Sequence, residues 1–259
     1  MPKIILVSLV YNRKNLVGLA VQSAINQTLD KSKWVHVIID NASTDGADRV
    51  CKVFDKKYSH IHYVKMASNL GQMPAYNWVL NNWIPNNVPD AEIMVHLDSD
   101  DMLMSNALVE IENKFRSNSL IGQIYSDFNI ININGKIKHK RHPKAKQVDP
   151  RIELTEDGQK ILRIWEIKFN VIGHIRAMRI EALRSIGGFD ECYKYATDVN
   201  MACKMLTSSY MVAKIPKILY LWREHGKDQV QGEKSIEQTR CWNEICSKYR
   251  ELWKESSLI

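Results

Sequence analysis

Glycine and proline are sparse in this chain of 259 residues, 11 and 7 respectively, which excludes collagen-like, linker-rich and low-complexity architectures. Cysteine is scarcer still. Cys51, Cys192, Cys203, Cys241 and Cys246 are odd in number, irregularly spaced and without a CxxC pair. Neither a disulfide framework nor a zinc site is indicated, and a reducing cytoplasm is the expected compartment. Long apolar runs are also missing. The longest, residues 4–10, contains Ser8 and is closed by Asn12 and Arg13, far short of the ~20 residues a membrane helix needs. No signal peptide is visible. What is present is the composition of a packed protein, 45% hydrophobic and 25% charged, at a length that suits one large domain or two closely packed halves. Lysine and arginine exceed aspartate and glutamate, 36 against 29, and this basic balance favours anionic ligands such as phosphates, nucleotides or acidic headgroups.

The first 104 residues alternate strand and helix patterns. Residues 4–10 and 35–39 are rich in β-branched side chains and apolar on both alternating faces, as a parallel strand covered on two sides requires. Shorter strand signals lie near 61–64 and 93–97. Between them, residues 16–25, the stretch after Gly46, and 73–81 carry a helical period. This alternation predicts parallel crossovers, and in such sheets ligands bind at the carboxyl ends of the strands, where Asp40 and Asp98 sit. Beyond residue 104 the pattern changes. Ser105 is read as the cap of a helix to 115, and residues 123–127 and 129–133 as strands. Asn134-Gly135 is read as a type I′ hairpin turn, followed by an exposed basic loop over 136–146. Helices are expected over 199–206 and 236–253.

Asp98, Asp100 and Asp101 crowd three carboxylates into four positions after a buried strand, and like charges so close oppose one another's ionisation. A hard divalent cation, Mg²⁺ or Mn²⁺ shared with a substrate's phosphates, is the simplest partner for Asp98 and Asp100. The alternative is that these groups bond turn and helix amides, a role that suits Asp101 best.

Six ordered segments carry a resemblance: Val7-Ser8-Leu9-Val10-Tyr11-Asn12-Arg13; Ile38-Ile39-Asp40-Asn41-Ala42-Ser43-Thr44-Asp45-Gly46; Asn69-Leu70-Gly71 with Ala75-Tyr76-Asn77; His96-Leu97-Asp98-Ser99-Asp100-Asp101; Gly187-Gly188-Phe189-Asp190-Glu191 with Thr197-Asp198; and residues 220–225. Together they resemble a family 2 glycosyltransferase of the GT-A fold, with a DXD motif, over about residues 3–230. The resemblance implies an α/β fold: a Rossmann-like, mostly parallel sheet with helices on both faces, fused to a smaller mixed half. Residues 1–104 would bind the nucleotide sugar, residues 105–230 would bind the acceptor and carry the base, and residues 231–259 would form a C-terminal helix. It implies inverting, metal-dependent transfer from a nucleoside diphosphate sugar to an acceptor hydroxyl.

By that resemblance Val10, Asn12, Asp40, Asn69, Gly71, Asn77, Asp98 and Ser99 hold the donor. Asp100 and His225 hold Mn²⁺ or Mg²⁺, His174 and Thr197 face the acceptor, and Asp198 is the general base. A carboxylate at Asp40 suits the ring N–H of uracil, thymine or guanine and disfavours cytosine; its other reading is an Asx-type turn. For Asp198 the other reading is a helix N-cap shared with Thr197, and for His225 a loop histidine in solvent. Two departures from the family pattern stand out, Tyr76 in place of arginine and Asn41 in place of aspartate. The expected acceptor is a glycan, lipid-linked or protein hydroxyl. The basic loop fits peripheral contact with an anionic membrane better than nucleic acid, because it lacks interleaved aromatics. The competing readings are a sugar nucleotidyltransferase, which should carry a glycine-rich phosphate loop where Tyr11-Asn12-Arg13 stands, and a non-catalytic nucleotide- or glycan-binding relative.

Overall fold

The computed structural model describes residues 3–139, 149, 151–226 and 233–259. Its first half follows the sequence pattern. Strands β1 (Ile4–Val10), β2 (Trp34–Asp40), β3 (Ile61–Lys65) and β4 (Ile93–His96) run parallel in the order β3-β2-β1-β4. Helices α1 (Val17–Ile25), α2 (Ala47–Lys57) and α3 (Gln72–Trp78) connect them, the last continued by a π-helical turn, Val79–Trp83, into α4 (Ile84–Asn87). Along β1, Ile4 and Leu6 enter one core while Ile5 and Val7 enter another. Both faces are covered, which is why the strand is a continuous apolar run.

The expectation of a mostly parallel Rossmann-like sheet is overturned. After β4 come β5 (Met102–Leu103), α5 (Ala107–Ser117), β6 (Ile121–Ile131), β7 (Ile137–His139), α6 (Glu156–Phe169), β8 (Ala177–Arg179), α7 (Ile180–Ser185), α8 (Thr197–Thr207), β9 (Met211–Arg223) and α9 (Glu233–Glu255). All five later strands join the same sheet, in the order β4-β8-β6-β9-β5 with β7 beside β6. Pairings β4–β8, β6–β8, β6–β7 and β5–β9 are antiparallel, and only β6–β9 adds a parallel pair. The sheet is therefore mixed and runs through both halves. The physical reason is that β8 is a three-residue strand without detectable periodicity, yet it docks on β4 and turns the strand direction.

Local details differ as well. Residues 121–131 form one strand whose pairing with β9 is irregular around Ser126 and Asp127. At the Asn134-Gly135 turn only Gly135 has a positive φ, 79°, so the turn is not type I′, which needs both residues there. Instead Asn132 Oδ1 accepts the amides of Asn134 and Lys136, both at 3.0 Å. Asn106, not Ser105, precedes α5, without a side-chain cap. Of the basic loop, Lys136 and Lys138 are exposed, whereas Lys140, Arg141, Lys144 and Lys146 lie outside the described residues. All five cysteines are free. Among the described residues no helix is long and apolar enough to cross a membrane.

Candidate active site

The carboxyl ends of β1 and β4, the loops beside them and the start of α8 enclose a cleft of about 1070 Å³. Val10, Asn12, Asn69, Gly71, Asp98, Ser99, Asp100, His174 and Asp198 all line it. Residues expected to bind donor, metal and acceptor thus meet in one place. Asn12 adopts a left-handed φ of 54°, tolerable for asparagine. There its Oδ1 accepts the Thr44 amide at 2.9 Å and its own amide donates to Ser43 Oγ at 3.1 Å, tying the turns after β1 and β2 together.

Asp40 stands outside that lining. It is fully buried, Oδ1 accepting the Ser43 amide and Oδ2 the Tyr63 hydroxyl, each at 2.7 Å. Burial and the bond to Asp40 push the Tyr63 hydroxyl up from its ordinary range. The neighbouring Asn41 lines the cleft instead. Its Nδ2 donates to Asn69 Oδ1 (2.8 Å) and Gly71 O (3.1 Å), and its Oδ1 accepts the Leu70 amide (2.9 Å). Asn77 is also not in the lining. It latches α3 to the Gly187-Gly188-Phe189 turn, Oδ1 accepting the Phe189 amide (2.9 Å) and Nδ2 donating to Phe189 O and Glu191 Oε1 (2.8 Å each).

The acidic turn after β4 is held from the second half of the chain. Asp98 pairs with the Arg176 guanidinium. Burial acts to raise the Asp98 carboxyl, but the Arg176 charge, aided by His174, holds it below the ordinary carboxylate value. Asp100 Oδ2 meets His225 Nε2 at 2.9 Å and Arg13 Nε at 3.2 Å. Asp101 is buried, its oxygens accepting the Tyr220 hydroxyl (2.9 Å) and the Arg223 amide (2.7 Å). Burial first, then the charges of Asp98 and Asp100, push its carboxyl well above the ordinary value. His174 stacks on Tyr220 with ring centroids 4.4 Å apart. Tyr76, the departure from arginine, stacks on buried His96 at 3.8 Å; burial and the Arg176 charge keep that imidazole neutral. Sequence reasoning assigns no role to Arg176 or Arg223. The signal available was only their charge near cleft motifs.

Asp198 occupies the first turn of α8, half-buried. The residue preceding that helix is Ala196, left-handed at φ 54°, and no side chain caps the helix. Thr197 is half-buried but not part of the lining.

The donor set suits a divalent cation. Asp98, Asp101 and His174 each offer a ligand atom within 4.8 Å of the others. Asp101 is the poorest of these, both oxygens being spent on Tyr220 and Arg223. Asp100 Oδ2 and His225 Nε2, in hydrogen-bond contact at 2.9 Å, set a further carboxylate and imidazole beside that group.

The sequence profile described as Glycosyl transferase family 2 matches residues 6–187, well over half of the chain. Among curated proteins, a poly(ribitol-phosphate) beta-glucosyltransferase of Bacillus spizizenii is 27% identical over 186 residues, 68% of this chain and 28% of that protein. A minor teichoic acid biosynthesis protein of Bacillus subtilis, GgaA, is 27% identical over 107 residues, 41% of this chain and 23% of that protein. The chain thus spans about a quarter of the length of these relatives. Among solved structures, S. aureus TarS 1-349 in complex with UDP-GlcNAc aligns with a TM-score of 0.66 at 16% identity, covering 94% of this chain and 65% of that one. The mannosyltransferase PcManGT from Pyrobaculum calidifontis, in complex with GDP-Man and Mn²⁺, aligns with a TM-score of 0.66 at 19% identity, covering 96% and 64%. These similarities show a shared fold, and the profile match carries the family. The chain belongs to glycosyl transferase family 2.

Proposed function

We propose that this cleft moves a sugar from a nucleoside diphosphate donor to an acceptor hydroxyl, with inversion at the anomeric carbon. One observation carries the reading. Asp98, Asp100 and the half-buried Asp198 line the same cleft from opposite halves of the chain, so a donor held by the first two presents its sugar toward the third. Val10, Asn12, Asn69 and Gly71 form the nucleoside side, Ser99 the phosphate side, while Asp40 and Asn77 support it from behind. Asp100 and His225 would hold Mn²⁺ or Mg²⁺, and that ion supplies charge neutralisation for the departing diphosphate. Asp198 accepts the acceptor's hydroxyl proton as the new bond forms. His174 and Thr197 lie on the acceptor side.

Asp40, whose oxygens are engaged within the protein, does not select the base. The fold relatives were solved with UDP-GlcNAc and with GDP-Man, and UDP sugars, the donors expected from the family resemblance, are the first to test. The acceptor class supported best is an anionic polyol-phosphate polymer, the acceptor named for the Bacillus spizizenii relative and one suited to a net charge of +7. Peripheral contact with an anionic membrane, through the basic residues after Asn134, remains part of this reading.

Donor hydrolysis and transfer screened across UDP, GDP and dTDP sugars, with and without Mn²⁺, test it. Activity with one donor that is lost in chelator and in Asp100→Ala supports the assignment. Full activity in chelator removes the metal role, and inactivity with every donor removes the reaction.

A further inference from the structure

We infer that Arg176 is a positioning residue for the donor site, acting through Asp98; the inference rests on the proposed donor site. Arg176 sits immediately before β8, and its carbonyl accepts the His96 amide at 2.9 Å, so its Cα faces the end of β4 where the acidic turn begins. Its side chain is only 13% exposed and its guanidinium pairs with Asp98 Oδ2. Among the described residues Arg176 is the one arginine or lysine paired with Asp98, His174 offering a ring nitrogen within 4.8 Å of the same carboxylate, and the Arg176 Nε is buried without a hydrogen-bond partner. The guanidinium is therefore committed to one carboxylate.

That commitment decides which oxygen of Asp98 a ligand can use. Oδ2 is spent on Arg176, leaving Oδ1 as the acceptor available in the cleft that Asp98 lines. Asp98 also sits two and three positions from Asp100 and Asp101, whose like charges oppose its ionisation and would turn an untethered carboxylate outward. A planar guanidinium fixes orientation as well as charge, which the single ammonium of lysine does not. The backbone of Asp98 is restrained separately, its amide donating to the Tyr220 hydroxyl at 3.2 Å. Loss of Arg176 should therefore free the side chain without dismantling the turn.

The test is a double-mutant cycle read as UDP affinity by calorimetry in the presence of Mn²⁺. It uses wild type, Arg176→Met, Arg176→Lys, Asp98→Asn and the double variant Arg176→Met with Asp98→Asn. Support for an orienting partner of Asp98 is a loss of UDP affinity of roughly 10–100-fold in Arg176→Met, partly restored in Arg176→Lys. The double variant should then bind UDP within about twofold of Asp98→Asn alone, because the two changes remove one shared interaction. Additive losses overturn the inference, since they mean that Arg176 acts independently of Asp98. Wild-type affinity in an Arg176→Met protein with a native near-ultraviolet dichroism spectrum overturns it as well. Should Arg176→Met not fold, the same cycle is run with Arg176→Lys and judged by the same additivity. Wild-type protein that binds none of UDP, GDP and dTDP overturns the donor-site reading and this inference with it.

Discussion

Glu166→Gln should make the protein more stable at pH 8 and change it by less than about 1 kcal/mol near pH 5. Glu166 lies on the inner face of α6, fully buried, with Oε2 accepting the Ile172 amide at 2.8 Å. Burial, with a smaller contribution from the Asp198 charge, pushes its carboxyl up to about 8, against the opposing effect of the Ile172 and Val171 amides. The unfolded chain releases this proton near 4.5. Between those values the folded protein holds a proton that the unfolded chain has lost, so stability falls as pH rises, by ~1.36 kcal/mol per unit. The stabilising contribution is complete below the unfolded value and gone once pH passes the folded one. Over the window from 4.5 to about 8 the loss is on the order of 3–5 kcal/mol, and complete burial leaves no solvent screening to reduce it. Glutamine keeps the acceptor for Ile172 and has no proton to lose. Urea unfolding of both proteins at pH 5 and pH 8, followed by circular dichroism, gives the difference directly, other titrating groups cancelling between them. Parallel pH curves for the two proteins would refute the reasoning, as would a glutamine variant less stable at pH 8.

Asp198→Asn should lower transfer by about 10²–10⁴-fold, the range for a positioned base, with nucleotide affinity and melting temperature unchanged because no side chain caps α8; near wild-type transfer would end the base assignment. Gly188→Ala should destabilise the protein by about 1–3 kcal/mol, since Gly188 has φ +71° and an added Cβ would meet Asn77 Oδ1 at 2.7 Å; thermal melting at unchanged stability would show the latch to be dispensable. Neutralising Lys138, Lys140 and Arg141 together should weaken binding to anionic phosphatidylserine vesicles at low salt without changing donor hydrolysis, and unchanged sedimentation with vesicles would remove the membrane contact.

The parallel half was legible because β1, β2 and β4 are buried on both faces, so the sequence 4–10 has no polar alternation to hide it. The carboxyl ends of those strands then located the cleft, and nine of the expected residues line it. Asp40 shows the limit of that rule. A strand end fixes where the backbone arrives but not which of two adjacent side chains faces the ligand. Here Asp40 turns inward to Tyr63 on the neighbouring β3, while Asn41 reaches the cleft. Finding this from sequence needed the pairing of β2 with β3, a register that no local pattern contains. Arg176 and Arg223 were hidden for a related reason. They reach the acidic turn by antiparallel and long-range pairings from residues 78 and 122 positions away, and composition is silent on such contacts.

The mixed sheet bears directly on how the site works. The strand order reverses between β1 and β4, where open α/β sheets leave a crevice, and beside it the strand direction reverses too, β4 pairing in parallel with β1 and antiparallel with β8. A purely parallel sheet would have placed another crossover helix over that edge. Instead β8 and β9 deliver Arg176, Tyr220 and Arg223 to Asp98 and Asp101, and the loop after β9 delivers His225 to Asp100. Three adjacent carboxylates that would repel one another in isolation are thereby given separate partners: a guanidinium, a hydroxyl with a backbone amide, and an imidazole beside Arg13. The first half of the chain cannot assemble this arrangement alone, because every one of those partners except Arg13 belongs to the second half. On the proposed assignment of this cleft, donor binding and acceptor placement are coupled through the geometry of β4, β8 and β9, and a substitution in the second half that shifts β9 should first be felt as weakened nucleotide binding.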